Sequence, residues 1–471
     1  AGLPFRAFAT LVIGFLVFGA TLQHTGGGRF FIQLAFALIG SVRGGAAKVA
    51  IVSSGLMGSM SGSVITNVMT TGQLTIPAMA RNGFSARTAA AVEACASTGG
   101  VLLPPIMGST AFIMASFLDM PYYQVAAAAF IPAILYFTAL FFQLDAYAAR
   151  HQLQGLPAAE LPKLNEVVRD GWCYIGAFVL LIVLLLVLQR EAMAPWAASL
   201  VLLIINQVSA RHRLSWAAAL KLLSSMGQLL AELLTILCGV GLIIGALSVT
   251  GLSGTLVNEL LFMAGDDTAV LLLSGAITSF LLGIGLTVTA AYVFLAIVLA
   301  PALLGGGLDP LAVHLFILYW GMLSFITPPV ALGAFAAASI AGSGPVKTGF
   351  EAMRLGLATY LIPFLFVMNP ALIGHGGVMD TVQAVLEALL GIYLLAGAAQ
   401  RYLPIVGELP VLAAISVGVS GCLIALPGLE VIEMNWSNSL GNTVGLVLFI
   451  LTWLIITVVF KSLSPQKEKG S

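Results

Sequence analysis

The sequence has very little charge for its length. Only 8% of its 471 residues are Asp, Glu, Lys or Arg, and 19 basic residues balance 19 acidic residues. A soluble domain carries about 25% charged residues, so this composition excludes a soluble fold. The zero net charge also provides no basic surface, and we expect no nucleic-acid partner.

Cysteines and catalytic motifs are scarce as well. The cysteines lie far apart in apolar segments, a spacing that excludes a disulfide framework or a transition-metal site; they are Cys95, Cys173, Cys238 and Cys422. No Walker loop, GxSxG, HExxH or CxxC motif occurs. We therefore expect neither an enzyme nor an ATP-driven pump, and no organic cofactor.

Apolar residues, in contrast, make up 60% of the sequence. Only helices and closed barrels satisfy their own backbone in lipid, and the short alternating pattern of barrel strands is missing here. The sequence thus predicts an all-α polytopic membrane protein. The stretches long enough to cross about 30 Å of hydrocarbon are 7–22, 123–143, 172–189, 229–250, 355–373, 409–426 and 443–460.

Polar connections between these stretches are few. We predict one long hydrophilic loop at 144–170, and we expect the basic loop 211–221 and the C-terminal tail to be cytoplasmic. The chain begins Ala-Gly-Leu-Pro, without Met and without a signal peptide, which predicts that an upstream part is missing.

The sequence repeats itself at a constant offset of 224 residues. The matched positions are Ser63 with Thr287, Pro77 with Pro301, Gly83 with Gly307, and Pro104-Pro105 with Pro328-Pro329. Duplicated apolar segments that Gly and Pro interrupt at matching positions point to the binding site of a secondary transporter. We predict that the copies are inverted repeats, related by an axis in the membrane plane.

Each copy contains two broken apolar elements. The segments 47–80 and 268–304 are longer than one span and are interrupted by Gly, Ser and Thr, so we predict two re-entrant helical hairpins. A Pro-Pro pair breaks each of the segments 87–118 and 311–342, because proline removes a donor and clashes one turn back. Irregular backbone at membrane depth must line a cavity or be buried in protein. These four elements therefore predict one shared site.

Hydroxyl groups are concentrated in the first hairpin. A dehydrated cation needs several oxygens, which carbonyls and Ser, Thr and Asn side chains supply. The alternative is that small residues only allow close helix packing. The first-hairpin candidates are Ser59, Ser61, Ser63, Thr66, Asn67, Thr70 and Thr71. The second copy offers Thr287, Thr289, Ser324 and Thr327, with backbone carbonyls of Gly283, Gly285 and Ile326.

Two ionisable residues lie within apolar segments. Glu93 is a candidate proton carrier because an ionisable group in a membrane segment costs about 2.5–3.5 kcal/mol or more; alternatively it pairs with Arg81 or Arg87 near the interface. His314 is a second candidate proton carrier, although a lone His in such a stretch is more often a satisfied core group. Both alternatives stay open for Glu93.

Several motifs resemble those of a known family. The runs GSMSGSVITNVMTTGQLTIPAMARNGF (58–84) and AVEACASTGGVLLPPIMGSTAFIMA (91–115), with GIGLTVTAAYVFLA (283–296) and the run 312–341, are similar to the large membrane permease subunit of TRAP transporters. The resemblance covers roughly residues 20–375 and is greatest to the TAXI-associated fused-permease branch.

This resemblance implies an elevator-type symporter of the bacterial inner membrane. Such a protein takes a small organic anion, in most cases a carboxylate, from a periplasmic TAXI-type binding protein and couples uptake to sodium, or alternatively to protons. The family also uses a small four-helix membrane subunit, fused upstream or separate. A channel would instead need one continuous polar helix face, and a non-transporting assembly subunit would not need matched broken helices.

The resemblance also assigns site residues. The sodium positions of the family match Ser61, Ser63, Gly99 and Val101 in the first copy, and Gly283, Gly285, Thr287, Thr327 and Val330 in the second. We expect a second group of residues to face the substrate, namely Thr66, Asn67, Ser97, Thr98 and Thr289. Relatives often have Leu-Pro-Thr-Thr where this chain has Leu-Thr-Val-Thr (286–289), which leaves the shape of the second tip open.

The predicted organisation has five parts. Residues 1–46 form scaffold or arm helices, 47–120 the first repeat of the transport domain, and 121–250 scaffold helices. Residues 251–342 form the second repeat of the transport domain, and 343–471 form C-terminal scaffold and accessory helices. We expect the outer loops 118–121 and 305–309 to contact the binding protein.

Overall fold

In the computed structural model the described part of the chain is predominantly helical. The described residues are 5–6, 8–208, 213–251, 254–255, 257–259, 262, 267–404, 406–426 and 442–453. Part of the basic loop predicted at 211–221, and the C-terminal tail, lie outside them.

Ten α-helices lie among the described residues up to Thr250, preceded by a π-helical turn at Phe8–Val12. They are α1 (Ile13–His24), α2 (Gly27–Ile39), α3 (Gly45–Ser61), α4 (Val64–Arg81), α5 (Ala86–Gly100), α6 (Thr110–Phe117), α7 (Tyr122–Arg150), α8 (Leu164–Ile182), α9 (Ala194–Val208) and α10 (Trp216–Thr250).

The second half adds further helices and one small strand pair. These elements are α11 (Thr268–Gly283), α12 (Val288–Val298), α13 (Ala300–Gly305), α14 (Pro310–Leu323), α15 (Leu332–Ala341), α16 (Pro345–Leu355), α17 (Ile362–Met368), α18 (Val378–Gln400), β1 (Tyr402–Leu403), β2 (Gly407–Glu408), α19 (Val411–Ala425) and α20 (Asn442–Trp453). The two strands pair antiparallel.

Equivalent elements begin and end at the same offset that the sequence showed. The second helix of each hairpin starts at Val64 in α4 and at Val288 in α12. The broken helices start at Ala86 and Pro310 and end at Phe117 and Ala341. Each starts after a residue whose side chain caps the helix, and these two N-caps are 224 residues apart. Both Pro-Pro bonds are cis. The predicted helix–turn–helix hairpins and Pro-Pro breaks are thus confirmed, and the re-entrant path of the hairpins in the membrane stays a prediction.

The two hairpins open at opposite ends of the molecule. The 23-residue α18 is about 34 Å long. Near its first residue, His375 bonds to Asp309, which follows the second hairpin, at 2.8 Å. At its other end, Arg150 donates to the Gln400 carbonyl at 2.9 Å, and Phe84, which follows the first hairpin, stacks on the last turns of α7. This arrangement is the one expected of inverted repeats.

Two sequence predictions of connections and spans were wrong. The loop predicted at 144–170 is mostly helical, because α7 continues to Arg150 and α8 begins at Leu164. The charge of Asp145 is compatible with helix there because it pairs with Arg43 and Lys48. The apolar stretch 355–373 is not a span by itself, because its helical part, Leu357–Met368, reaches the length of a span only together with α16, across a bend of 70°.

Within the described residues, four helices are long and apolar enough to cross a membrane, or up to six if each bent pair is one span. They include α7, α8 and α10, which match predicted stretches, and α18, which sequence analysis missed. The stretch 409–426 forms the shorter α19, and 443–460 lies partly outside the described residues. All four cysteines are free.

Candidate functional site

The tips of the two hairpins meet at one cleft of about 160 Å³. Hydroxyl, glycine and apolar residues of both tips line it, together with Ser109 from the first helix break and one face of α10. The tip residues are Ser61, Gly62, Ser63, Val64, Ile65, Thr66, Gly285, Leu286, Thr287, Val288 and Thr289. The prediction that the two copies build a shared site is therefore supported by their position.

Each tip directs the N-terminus of a helix at the cleft. The Ser63 hydroxyl accepts from the Thr66 backbone N–H at 3.3 Å and begins α4, and Thr287 accepts from Ala290 at 3.4 Å and begins α12. Gly62, which caps the end of α3 two residues before α4 begins, has a φ of +64°, and Gly285 has a φ of +76°. Free N–H groups and the helix dipole make such N-termini favourable for negative charge.

The two repeats exchange contacts around the cleft. Ser109 and Thr110 of the first repeat bond to the Thr289 hydroxyl at 2.9 and 3.2 Å. In the reciprocal contact, Gly333 of the second repeat packs against the side chain of Val64 in the first repeat. A Cβ added to Gly333 would lie 3.0 Å from that side chain. Reciprocal contacts between matching surfaces are typical of two units related by a two-fold axis.

Backbone packs directly on backbone behind the first tip. A Cβ on Gly62 would lie 2.6 Å from Cα of Gly108 in the helix break, and a Cβ on Gly58 would lie 2.6 Å from Cα of Gly100. The Gly108 N–H also donates to the Ser59 carbonyl at 3.3 Å. Glycine lets the broken helix approach the hairpin closely and exposes carbonyl oxygens near the tip.

The structure brings three of the first-copy candidates to the cleft and leaves others behind it. Ser61, Ser63 and Thr66 line the cleft. A Cβ on Gly99 would lie 2.2 Å from the ring of Tyr136 in α7, so this glycine provides room for the neighbouring helix. Val101 is buried in the core.

Three predicted substrate-facing residues of the first copy are buried away from the cleft surface. Asn67 is 1% exposed; its amide nitrogen donates to the Ser54 carbonyl at 2.7 Å, and its Oδ1 has no partner among the described residues. The hydroxyls of Ser97 and Thr98 bond within the first repeat, to Glu93 at 3.0 Å and to the Ala94 carbonyl at 2.8 Å.

The second-copy candidates also divide into two groups. Gly285, Thr287 and Thr289 line the cleft. The Gly283 carbonyl accepts from Ser324 at 3.2 Å. Thr327 lies further away in the second helix break, where its hydroxyl contacts the hydroxyl of Tyr360 at 2.5 Å. Val330 lies in the same break between α14 and α15.

The structure distinguishes the alternatives for the two ionisable residues. Glu93 is fully buried and accepts hydrogen bonds from four hydroxyls, so the suggested pairing with Arg81 or Arg87 is wrong. The position of His314 agrees with a satisfied core group, because Nδ1 lies 2.7 Å from the hydroxyl of Tyr292.

Sequence analysis missed the contribution of α10 to the cleft. Leu229, Glu232, Leu233 and Ile236 of α10 line it, and no Lys or Arg is among the described residues of the lining. The one indication in the sequence that α10 has a functional role was Glu232, a single acid within an otherwise apolar stretch. No described group of three or more His, Cys, Asp or Glu residues could hold a metal ion. The tip residues at the cleft carry hydroxyl groups and backbone carbonyls as their oxygen ligands.

Comparisons with known proteins agree with this architecture. A family model described as "Tripartite ATP-independent periplasmic transporter, DctM component" matches residues 3–380. The chain is 24% identical over 341 residues to the C4-dicarboxylate TRAP transporter large permease protein DctM of Pseudomonas aeruginosa, which covers 71% of the chain and 78% of that protein.

Two further relatives carry other substrate names. The sialic acid TRAP transporter large permease protein SiaM of Vibrio cholerae is 24% identical over 375 residues, with 77% of the chain and 83% of that protein covered. The isethionate TRAP transporter permease protein DctMQ of Oleidesulfovibrio alaskensis is 24% identical over 352 residues, with 72% and 53% covered.

Proteins of this family are transporters of the inner membrane and not enzymes. They work with a periplasmic binding protein and a small membrane subunit, and the DctMQ relative is a fused form. Because the family model covers well over half of the sequence, this chain belongs to the TRAP transporters, as their large permease component.

Proposed function

We propose that this chain takes up a small organic anion, in the class of carboxylates, in symport with sodium. The observation that carries the proposal is the convergence of two hairpin tips on one cleft, each with a hydroxyl N-cap and a helix N-terminus directed at it. In discontinuous transporter helices such N-termini bind anionic groups of the substrate, while unwound carbonyls bind cations.

The substrate class follows from charge. Two helix N-termini favour an anion in the cleft, and the three relatives named above are described as permeases for a C4-dicarboxylate, isethionate and sialic acid, all of which are organic acids. No Lys or Arg among the described lining residues neutralises the anion. Bound cations would supply that neutralisation, which couples cation binding to substrate binding.

Sodium is the proposed cation because the tips offer neutral oxygens. Ser61, Ser63 and Thr287 provide hydroxyls at the cleft, and the helix breaks provide carbonyls without a fixed charge. Two or more sodium ions would bring the anion inward against the membrane potential, which contributes about 2.3 kcal/mol per charge per 100 mV. Proton coupling through Glu93 or His314 is the competing hypothesis.

The proposed partners are a periplasmic binding protein of the TAXI type and a small four-helix subunit. Basic residues concentrate at the end of the molecule where the first hairpin opens: Arg43, Arg81, Arg87, Arg150, Lys347, Arg354 and Arg401. By the positive-inside rule this end is cytoplasmic. The loops 118–121 and 305–309 would then lie on the outer face, where the binding protein delivers substrate. An elevator movement of 47–120 with 251–342 would carry the cleft across the membrane.

Uptake in proteoliposomes tests this function. The membrane complex is supplied with its binding protein and a labelled carboxylate, and sodium and proton gradients are imposed separately. We expect saturable uptake that needs an inward sodium gradient and the binding protein. Uptake that is unchanged when choline replaces sodium at constant pH would refute sodium coupling, and full uptake without any binding protein would refute the partner.

A further inference from the structure

A buried carboxylate lies about two helical turns beneath the first tip, since Ser54 precedes Ser61 by seven residues and Thr71 follows Ser63 by eight. Glu93 of α5 is 0% exposed. Four hydroxyls from three helices donate to it: Ser54 at 2.7 Å, Thr71 and Thr75 at 2.5 Å each, and Ser97 at 3.0 Å. We call these five residues the hydroxyl cage. The cage joins α3, α4 and α5 at a single acceptor.

The second repeat contains the same helix crossing without a cage. The counterparts of Glu93, Thr71 and Thr75 are Ile317, Leu295 and Leu299, each at most 1% exposed. A side-chain carbon on Gly321, the counterpart of Ser97, would lie 3.4 Å from Leu295. Apolar side chains therefore replace the acid and two of its donors there, and the remaining donor, Ser54, corresponds to Thr278. Burying polar groups and charge costs free energy, and apolar packing holds the same crossing together without that cost. The cage therefore has a role other than holding the helices together.

The cage is connected directly to the unpartnered oxygen of Asn67. Ser54 donates to Glu93 through its hydroxyl and accepts from the Asn67 amide nitrogen through its carbonyl at 2.7 Å. Thr71 lies within 2.8 Å of the Asn67 carbonyl one turn earlier. A carbonyl acceptor can pair only with Nδ2 of the amide, so this contact fixes the amide and leaves the buried Oδ1 free to bind a ligand.

We propose that Glu93 is a positioning residue for the first cation site. It orients Ser54, whose carbonyl holds the Asn67 side-chain amide, and Thr71, whose hydroxyl bonds to the Asn67 backbone carbonyl. The amide held in this way directs Oδ1 at the cation behind the tip at Ser61. Glu93 acts as a hydrogen-bond acceptor in this role and does not itself carry a proton across. The inference rests on the sodium coupling proposed above.

Substitutions copied from the second repeat test this role. The triple variant Glu93→Ile, Thr71→Leu, Thr75→Leu reproduces the apolar crossing, whereas Glu93→Gln keeps an acceptor at Oε1 and lets Thr75 accept from the new amide. Ile317→Val is the matched control in the second repeat. Purified complexes are compared by thermal unfolding and by uptake at varied sodium concentration.

We expect the triple variant to need about tenfold more sodium for half-maximal uptake, and Glu93→Gln and the control to stay within about 1.5-fold of wild type. If the triple variant does not fold, Thr71→Val removes one donor at nearly constant volume and should raise the sodium requirement about threefold. A wild-type sodium response in the triple variant would overturn the proposal. If the triple variant does not fold, a wild-type sodium response in Thr71→Val would overturn it.

Two further outcomes separate this role from the proposed function. Loss of uptake in Glu93→Gln as complete as in the triple variant would mean that the carboxylate charge or its proton is needed, and the positioning role would be wrong. Wild-type uptake that ignores sodium would refute sodium coupling instead. In that case the cation-site role of Glu93 falls together with sodium coupling, whereas sodium-driven wild-type uptake with an unchanged sodium requirement in the triple variant overturns the role of Glu93 alone.

Discussion

Replacing Gly62 by alanine tests whether the contact between the first tip and the helix break shapes the cleft. The φ of Gly62 is +64°, a conformation that costs an L-residue about 1–2 kcal/mol. In addition, the new Cβ would lie 2.6 Å from Cα of Gly108. Because carbon atoms prefer a separation of about 3.5–4.0 Å, the two backbones must separate by about 1 Å.

Such a displacement moves the oxygens of Ser61 and Ser63 by a comparable distance. Misplacing binding groups by about 1 Å costs on the order of 100-fold in rate. We therefore expect Gly62→Ala to lower sodium-driven uptake by about 100-fold in proteoliposomes containing equal amounts of folded complex.

The second hairpin offers the matched control. Gly285 also has a left-handed φ, of +76°, but a Cβ there would meet no atom within 4 Å. Gly285→Ala therefore incurs only the conformational cost, which corresponds to about a fivefold to thirtyfold effect. Equal losses in the two variants would show that the contact with Gly108 does not matter, and normal uptake by Gly62→Ala would refute the role of this tip.

Three other changes have outcomes that the structure specifies. Ser63→Ala removes the N-cap of α4 and should lower the free energy of unfolding by about 1 kcal/mol; an unchanged unfolding temperature would contradict this. Asp145→Asn leaves the buried ammonium of Lys48 without its carboxylate and should cost about 3–5 kcal/mol, measured by thermal unfolding; a cost no larger than that of Arg43→Gln would contradict it. Glu232→Gln removes a negative charge from the cleft and should lower the KM for an anionic substrate roughly two- to fivefold at low salt; a higher KM would mean that Glu232 helps to bind the substrate or its cation.

The sequence predicted the repeated elements well because each has a local physical cause. Glycines and hydroxyl residues interrupt the hairpins, and Pro-Pro pairs break the helices, so elements of this kind are visible without tertiary information. The offset of 224 residues then aligned Ser63 with Thr287, and both proved to be N-caps.

The remaining features depend on partners that are distant in the chain. The helical state of residues 144–150 follows from the pairing of Asp145 with Lys48, 97 residues away. The four donors of Glu93 come from three helices, which no local pattern reveals. The approach of α10 to the cleft likewise depends on tertiary packing, so the position of Glu232 could not be predicted.

The length of α10 links the transporter to the thickness of its membrane. Its 35 residues measure about 52 Å, whereas a hydrocarbon layer of about 30 Å accommodates about 39 Å of helix even at a 40° tilt. At least about 13 Å must therefore project from the hydrocarbon, and Trp216 and Lys221 near its first turn are residues typical of the interface. Since α10 also carries Glu232 at the cleft, we expect the depth of that carboxylate in the membrane to change with the acyl-chain length of the surrounding lipid.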